Sequence, residues 1–336
     1  MIALGTSGLQ ISRTGFGSWG IAGAGWRWSW GSQDDDDSVA AIRHAVRRGV
    51  NWIDTAAVYG YGHAEDIVGK AIAGLTVDER PLVFTKGGLV WDPDAPDATP
   101  RRTMKHIRRE VEESLRRLGV EVIDLYQVHW PDTGEPLDWN GGGRSANAVP
   151  VEEYWQVMAD LKAEGKVRAI GLSNHSTAEL EMAERVAHVD AIQPPFSALN
   201  RSATREIDWA RQHGTGVIVY SPMESGLLTG AFSPGRVAAL PDDDWRKHHP
   251  AFTTRLGDAL TIVDALRPIA ARHGTTVAAV AVAWALAWPG VTGAIVGARR
   301  GEQIDGWIDA NRLELTAHDL GVIAAALPGD DLRAIS

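Results

Sequence analysis

One unit recurs along the chain: a short apolar run, a loop, and a segment with helical periodicity. The eight apolar runs are 14–19, 50–53, 82–84, 122–128, 167–172, 191–192, 216–220 and 292–296. Strands that alternate with helices are typical of βαβ units and a parallel sheet. Strands that are apolar on both faces fit a sheet closed into a barrel. We therefore predict one (β/α)8 TIM-barrel domain over residues 1–336.

A doubly wound dinucleotide-binding sheet is the rival architecture. It requires a glycine-rich GxGxxG turn directly after a strand. The glycine clusters that come nearest to this pattern, at 15–17 and 141–143, do not match it. The barrel is therefore the preferred fold class.

Five segments between the apolar runs are predicted to be helices, because their apolar residues recur at helical spacing. They are 38–48, 101–118, 150–163, 177–187 and 202–212. The uncharged stretch 274–298 is long enough to span a bilayer, but Pro289 and Gly290 interrupt it. We interpret this stretch as a buried helix, a turn and a buried strand, with a membrane span as the alternative.

Composition excludes several classes of protein. The chain has no cysteine, which excludes a disulfide scaffold, thiol catalysis and cysteine-ligated zinc. Its net charge of -10 predicts repulsion from nucleic acid and from anionic membranes. Residues 1–15 lack the basic start and the apolar core of a signal peptide, so we expect a cytoplasmic protein.

The carboxyl ends of barrel strands form the active site in this architecture, so the polar residues there carry information about function. Three successive runs lead to Asp54, Lys86 and His129, and Tyr59 lies in the loop after Asp54. A nearby ammonium favours phenolate, so we expect Lys86 to lower the pKa of Tyr59. A buried Lys86 needs a carboxylate partner, and Asp54 can be that partner. His129 can donate a hydrogen bond to a substrate oxygen, and the whole set suits the reduction of a carbonyl group.

Each of these residues also has a simpler structural interpretation. Charged residues at strand ends often cap a helix or form a rim ion pair, and a single histidine is often a hydrogen-bonded core residue. The joint occurrence of an acid, a cation, an imidazole and a phenol at one predicted rim favours the functional interpretation.

Later strand ends carry side chains that suit a nicotinamide cofactor. Ser173, Asn174 and Gln193 are short hydroxyl and amide side chains that can bind a carboxamide. The seventh run ends in Tyr220, an aromatic face on which a flat ring can stack.

The last two strands are followed by segments that suit phosphate. The loop 221–230 is rich in small residues, and Arg299 and Arg300 precede a predicted helix. Barrels commonly bind phosphate in the loops after their last two strands, and guanidinium groups suit a phosphate monoester.

Taken together, the chain resembles the aldo-keto reductase family along essentially its whole length. The matching motifs are LGTSGL (4–9), DTAAVYG (54–60), FTKGG (84–88), DLYQVHW (124–130), GLSNHS (171–176), the stretch 193–201, YSPMESGLLTG (220–230) and VGARRGEQ (296–303). The resemblance implies a (β/α)8 barrel with an N-terminal hairpin over 1–13 and extra C-terminal helices. It also implies reduction of aldehydes or ketones with NADPH and without a metal.

The resemblance assigns a role to each candidate residue. Tyr59 would be the general acid, Lys86 and Asp54 its tuning pair, and His129 the orienting donor. The implied cofactor contacts are Ser173, Asn174 and Gln193 at the carboxamide, Tyr220 at the ring, Gly226, Leu227 and Thr229 at the pyrophosphate, Arg299 and Gln303 at the adenosine end, and also Ser221 and Gly297. A guanidinium such as that of Arg299 favours the 2′-phosphate of NADPH over NADH.

Two features depart from the family pattern. Trp307 stands where relatives often carry an asparagine for the adenine, which leaves adenine recognition open. The stretch 133–149, with Trp139 and a glycine triplet, is interpreted as an insertion that forms either a lid or a surface loop. The chain also has fourteen tryptophans. Six of them fall at strand ends or in the loops after them and predict an aromatic pocket for a bulky apolar, cyclic or sugar-like substrate, with loop packing as the alternative. Four of the six are expected to line the substrate pocket, Trp19, Trp28, Trp91 and Trp130, and the other two are Trp26 and Trp30.

Three functions are therefore compared. The first is an NADPH-dependent reductase of a small carbonyl compound, or the same enzyme acting as an alcohol or sugar dehydrogenase. The second is a nicotinamide-bound sensor or partner subunit with little turnover, similar to the potassium-channel β-subunits. The third is a metal-dependent barrel hydrolase, which lacks its histidine pairs here. Only the first uses every strand-end residue, and the substrate and the oligomeric state stay open.

Overall fold

The fold is that of a computed structural model that describes residues 1–26, 28–76, 78–92, 99–135, 145–242 and 244–327. Eight parallel strands close into a barrel, in which each strand pairs with the next and the last pairs with the first. In chain order, β1 to β8 are Thr14–Gly17, Trp52–Asp54, Leu82–Gly87, Ile123–Val128, Val167–Ser173, Ala191–Gln193, Gly216–Val219 and Gly293–Gly297. Each apolar run overlaps one barrel strand, so the predicted fold class is confirmed.

Helices follow the strands, and a large apolar core forms where they pack together. In chain order, α1 to α11 are Asp35–Arg47, His63–Ile72, Ile107–Leu118, Val151–Ala163, Thr177–Glu184, Thr204–His213, Pro234–Ala238, Leu256–His273, Val277–Ala287, Gly301–Asp305 and Ala317–Ala326. Short 3-10 turns occur at Trp19–Ile21, Tyr59–Gly62, Glu224–Thr229, Trp245–Lys247, Pro250–Phe252 and Ile308–Asn311. The last helices are the extra C-terminal elements that the family resemblance implied.

One helix prediction was wrong at its start. The segment 101–118 was expected to be helical throughout, but the helix begins at Ile107. Arg101–Arg102 instead pairs with Leu89–Val90 in a small antiparallel sheet beside the barrel. The helical periodicity of residues 101–118 could not predict this pairing, because the partner strand lies in another segment of the chain.

The predicted N-terminal hairpin is present and closes the lower end of the barrel. Ile2–Ala3 pairs with Gln10–Ile11, and Leu4 and Leu9 are buried among the side chains that fill the barrel. Gly5 has a φ of +53°, and a Cβ there would clash with the backbone at the start of β7. The hairpin therefore lies at the amino ends of the strands, so the opposite rim is the one open to a substrate.

The uncharged stretch 274–298 forms α9, a turn and β8, as the sequence predicted. Residues 279–286 of α9 are buried within the fold. Within the described ranges, no single helix has the length and hydropathy needed to cross a membrane. The helices α8 and α9 reach that criterion only as a pair, and they are bent by 98° relative to each other.

The insertion after β4 is described at its two ends. Ser145 donates its backbone N–H to the Thr133 carbonyl at 2.8 Å, and Arg102 donates to the Glu135 carbonyl at 2.9 Å. The first bond joins the two ends of the insertion to each other, and the second joins the insertion to the small sheet at Arg101–Arg102. Trp139 and the glycine triplet lie outside the described residues, so the choice between lid and surface loop stays a prediction.

Candidate active site

Lys86, the penultimate residue of β3, lies at the centre of the open rim, and its side chain is fully buried. Its ammonium donates to Asp54 Oδ2 at 2.5 Å, to the Thr55 carbonyl at 2.9 Å and to the Tyr59 hydroxyl at 3.3 Å. The ends of β2 and β3 and the loop after β2 therefore bring the expected cation, carboxylate and phenol together. A buried charge is tolerated here because a carboxylate partner and two further acceptors surround it.

The electrostatics of Tyr59 differ from the sequence-based expectation. Burial raises the pKa of Tyr59 well above its ordinary value, and the Asp54 carboxylate raises it further. The expectation that Lys86 lowers this pKa was therefore wrong. Asp54 neutralises the ammonium at close range, and burial disfavours the phenolate. Tyr59 consequently carries its proton at neutral pH.

The same contacts orient the Tyr59 hydroxyl. An ammonium has three hydrogens and no acceptor. All three hydrogens of Lys86 have acceptors, one of which is the phenol oxygen of Tyr59. Since that oxygen accepts from Lys86, its own hydrogen points away from the ammonium. Tyr59 is thus arranged to donate its hydrogen to another group.

His129 follows β4, and its ring lies edge-on to the ring of Tyr59 with centroids 5.7 Å apart. Burial, with a contribution from the Lys86 charge, holds the pKa of His129 well below its usual range, so the imidazole is neutral. Its Nδ1 is buried without a hydrogen-bond partner among the described residues. Because a buried N–H without an acceptor is costly, the tautomer with the hydrogen on Nε2 is favoured. His129 and Tyr59 can then donate to one substrate oxygen.

Gln127 is a member of the site that the sequence analysis missed. It is fully buried in β4, and its amide donates to Asp54 Oδ1 at 3.4 Å. Gln193 donates to the same oxygen at 2.8 Å and to Gln127 Oε1 at 3.0 Å. Side chains two residues apart on a strand share a face, so the position of Gln127 relative to His129 was the available signal.

These bonds also qualify the expected role of Gln193. Gln193 was expected at the cofactor carboxamide, but its amide nitrogen is committed to Asp54 and Gln127. Gln193 therefore connects the end of β6 to the Asp54 carboxylate.

The Ser173–Asn174 turn links the two halves of the rim. Asn174 has a left-handed φ of +62° and donates to the His129 carbonyl at 2.9 Å. It accepts from the Tyr220 hydroxyl at 2.8 Å, while Ser173 donates to the Gln193 carbonyl at 2.9 Å. The proposed carboxamide residues and the proposed ring platform are thus one connected set.

The loop after β7 has an unusual backbone. Ser221, Glu224 and Ser225 adopt left-handed φ values of +56°, +47° and +52°, and Gly226 has a φ of +101°. Non-glycine residues rarely hold this conformation, and such strain concentrates at functional sites. Successive turns of this kind can direct backbone N–H groups at an anion.

The other two residues expected at the pyrophosphate differ in what they can offer. The Leu227 side chain is buried, so only its backbone can face a ligand. Thr229 donates its hydroxyl to the Gly226 carbonyl at 2.6 Å.

Arg299 follows β8 and is held by the loop between β1 and α1. Its guanidinium donates to Gln33 Oε1 at 2.6 Å, to the Trp30 carbonyl at 3.2 Å and to the Ser32 carbonyl. A guanidinium has five N–H hydrogens, so these bonds orient the group and leave hydrogens for a phosphate. Gly297 at the end of β8 is exposed beside it.

Gln303 was expected at the adenosine end, and Trp307 stands where relatives often carry an asparagine for the adenine. Gln303 Oε1 accepts from the backbone N–H groups of Arg299 at 2.6 Å and Arg300 at 3.2 Å, so the oxygen is committed to the start of α10. Trp307 is 2% exposed and belongs to the apolar core. It therefore does not replace an asparagine that reads the adenine.

The tryptophans predicted to line the pocket are partly buried against the apolar cluster that contains Tyr59. The ring of Trp19 lies 5.0 Å from the ring of Tyr59, and Trp28 lies 6.4 Å from Trp19. The guanidinium of Arg102 lies 5.5 Å from the ring of Trp130. Trp91 is in the same cluster. The mouth of the site beside Tyr59 is therefore predominantly aromatic.

The residues present fit a nicotinamide dinucleotide. The left-handed loop can direct N–H groups at phosphates, Arg299 keeps hydrogens for a further phosphate, and the Tyr220 ring is only half-buried. Outside the masked segments, no group of three His, Cys, Asp or Glu side chains is placed to hold a metal ion.

Comparison with known proteins agrees with this geometry. The model of the Aldo/keto reductase family matches residues 14–328. The chain is 35% identical to aldo-keto reductase YhdN of Bacillus subtilis, over 93% of this chain and 89% of that protein. It is 33% identical to the NADH-specific methylglyoxal reductase of Escherichia coli, over 95% of each. The solved glycerol dehydrogenase of Gluconobacter oxydans matches with a TM-score of 0.83 and 34% identity, over 100% of this chain and 97% of that one. None of these three names supports the sensor-subunit alternative.

Proposed function

Because the chain belongs to the aldo/keto reductase family, whose members are oxidoreductases of carbonyls and alcohols, we propose that it reduces an aldehyde or ketone with NADPH. The same enzyme can oxidise the matching alcohol, with Tyr59 as general acid in one direction and general base in the other. One observation carries the proposal: Tyr59 accepts a hydrogen bond from the buried, carboxylate-paired Lys86, which leaves the phenol hydrogen to be donated to another group.

The chain's own residues supply the proton chemistry. When bound, the nicotinamide ring supplies a hydride to the carbonyl carbon. Tyr59 and the Nε2–H of His129 hold the carbonyl oxygen and stabilise the negative charge that develops on it. Tyr59 then gives its proton to that oxygen, and the adjacent Lys86 ammonium stabilises the phenolate that remains.

The cations expected at the adenosine end favour NADPH over NADH. Family membership does not decide it, since the relative from Escherichia coli is named as NADH-specific. Arg299 is oriented by the β1–α1 loop and keeps unused hydrogens, and Arg300 follows it. Guanidinium groups reward a phosphate monoester, which favours the 2′-phosphate of NADPH.

The aromatic mouth favours a substrate with an extended apolar or C–H face. Trp19, Trp28, Trp91 and Trp130 are arranged around the cluster that holds Tyr59. A cyclic or sugar-like carbonyl compound presents such a face together with hydroxyl groups. The relative from Gluconobacter oxydans is named for glycerol, a polyol, which supports testing hydroxylated substrates first.

The direct test is a screen for consumption of NADPH with a panel of aldehydes, ketones and sugars, read at the absorbance of the reduced nicotinamide. We expect turnover with at least one class of carbonyl compound, and the reverse reaction with the matching alcohol and NADP+. A protein that binds NADPH but turns over neither the panel nor the alcohols would contradict the proposal and favour a sensor.

Replacing Arg299 with alanine tests the cofactor choice. A lost charge-assisted hydrogen bond costs about 1.5–3 kcal/mol, so the Kd for NADPH should rise by about ten- to a hundredfold. The Kd for NADH should change much less. Release of the β1–α1 loop from Arg299 affects both cofactors alike, so the ratio of the two Kd values isolates the 2′-phosphate.

The matched control for this measurement is Arg300→Ala. It removes the same charge one residue away, from a side chain that is 73% exposed. We expect a smaller change in the NADPH to NADH ratio. If the Kd values for NADPH and NADH rise by the same factor in the Arg299→Ala protein, the 2′-phosphate lies elsewhere.

A further inference from the structure

Glu224, in the loop after β7, is a buried carboxyl group that the mechanism above does not use. It is 6% exposed, and its Oε1 accepts from the Ser197 hydroxyl at 2.6 Å. The Ser197 oxygen also accepts the N–H groups of Leu199 at 3.1 Å and Asn200 at 2.9 Å. Because both lone pairs of the Ser197 side-chain oxygen are occupied, the hydroxyl can only donate, and it donates to Glu224. The Ser197 bond therefore leaves the second carboxyl oxygen of Glu224 for another group.

Among the described residues, no cation forms an ion pair with Glu224. Burial raises the pKa of Glu224 to about 7, and the Ser197 hydrogen bond only partly opposes this. Three arginines lie on segments near this loop, and each is engaged with another group. Arg246 is paired with Asp244 at 2.6 Å and donates to the Ser225 carbonyl at 3.4 Å. Arg201 and Arg267 donate to backbone carbonyls at 2.7 and 3.2 Å. The helix α9, which also packs on the loop, carries no charged residue.

The backbone places this carboxyl group beside Tyr220. The Glu224 N–H donates to the Ser221 carbonyl at 3.0 Å and closes a turn directly after Tyr220. The Phe196 N–H donates to the Tyr220 carbonyl at 3.1 Å, so the loops after β6 and β7 run side by side. The Ser197–Glu224 hydrogen bond joins the two loops just beyond that point. Burial raises the pKa of Tyr220, and the charges of Tyr59 and Glu224 raise it further, so Glu224 lies close enough to act on the proposed ring platform.

We propose that Glu224 discriminates between the two redox states of the bound nicotinamide, and that its ionised form favours the oxidised cofactor. The proposal rests on the proposed function, in which the ring stacks on Tyr220. The oxidised ring carries a positive charge that the reduced ring lacks, and the rest of the dinucleotide is the same. A carboxylate with no cation partner, held beside the platform, attracts only the oxidised ring.

The conformation of Glu224 supplies a control for backbone effects. Glu224 and Ser225 are both left-handed, with φ values of +47° and +52°, and glycine adopts this conformation without strain. Ser225→Gly therefore relieves the same kind of strain one residue away and keeps the carboxyl group. Glu224→Gly relieves the strain and removes the carboxyl group.

The test measures the Kd values of NADP+ and NADPH by quenching of tryptophan fluorescence, from about pH 6 to about pH 8.5. For the wild-type protein, the ratio of Kd for NADPH to Kd for NADP+ should rise at least about fivefold across this range, because Glu224 becomes ionised. The ratio should stay flat for Glu224→Gln. Ionisation of the 2′-phosphate is common to both nucleotides and cancels in the ratio.

The control variants complete the test. In the Ser225→Gly protein, the Kd ratio should keep the wild-type dependence on pH. In the Glu224→Gly protein, the Kd ratio should not change with pH, as in Glu224→Gln. Glu224→Gly therefore replaces Glu224→Gln in the test if the glutamine variant does not fold. A wild-type ratio that does not change with pH, or the same slope in the variants without the carboxyl group, would overturn the inference. A wild-type protein that binds neither nucleotide would instead overturn the proposed function, and this inference with it.

Discussion

Replacing Tyr59 with phenylalanine is expected to lower the kcat of carbonyl reduction at least about a hundredfold, the scale of a lost general acid. The Kd for NADPH should stay close to that of the wild-type protein, because the variant keeps the ring and loses only the hydroxyl group. The ring contacts with Trp19 at 5.0 Å and with His129 at 5.7 Å do not involve the hydroxyl, so the pocket keeps its shape. Steady-state kinetics and NADPH titration measure both quantities.

Tyr126→Phe is the matched control for this experiment. The Tyr126 hydroxyl is buried without a hydrogen-bond partner among the described residues, and the side chain belongs to the core between the barrel and its helices. Its removal should leave kcat near the wild-type value. An unchanged kcat in the Tyr59→Phe protein would reject Tyr59 as the acid.

Replacing Lys86 with methionine is expected to have two large effects. Turnover should fall by at least about a hundredfold, because the phenolate formed at Tyr59 loses its adjacent cation. The free energy of unfolding should fall by about 3–5 kcal/mol, because Asp54 is left as a buried charge without its partner. Both side chains of the pair are at most 3% exposed, so water does not replace the lost ammonium. Steady-state kinetics and denaturant unfolding measure the two effects.

The double variant Lys86→Met with Asp54→Asn separates the two effects. Asparagine removes the uncompensated charge and still accepts from Gln193, so we expect stability to recover while turnover stays low. A Lys86→Met protein as stable as the wild-type protein would contradict the buried ion pair. Recovery of turnover in the double variant would contradict the catalytic use of Lys86.

The barrel could be predicted because each strand is buried on both faces and therefore appears as an apolar run. The same reasoning identified Asp54, Lys86 and His129, since a polar residue that follows such a run lies at the rim. The small sheet at Arg101–Arg102 could not be predicted, because its partner at Leu89–Val90 is chosen by the folded barrel and not by local periodicity.

Within the site, the residue types were predicted better than their electrostatics. The closeness of Lys86 and Tyr59 was expected, but the direction of the Tyr59 pKa shift was not. That direction depends on how far each group is buried and on the 2.5 Å approach of Asp54 to the ammonium. Gln127 and Glu224 were missed for a related reason. A single polar residue in an apolar run or a small-residue loop shows its partners only after the chain has folded.

What the order of residues determined by itself is the repeating strand and helix pattern and the identity of the groups at the rim. These follow from hydrophobic burial, which acts on each segment through its own composition. The tertiary structure alone decided which groups neutralise one another, which hydrogens remain free to react, and which carboxyl group stays without a cation. These properties depend on the distances between the groups and on the exclusion of water. Both are fixed only when segments that are far apart in the chain come into contact in the folded protein.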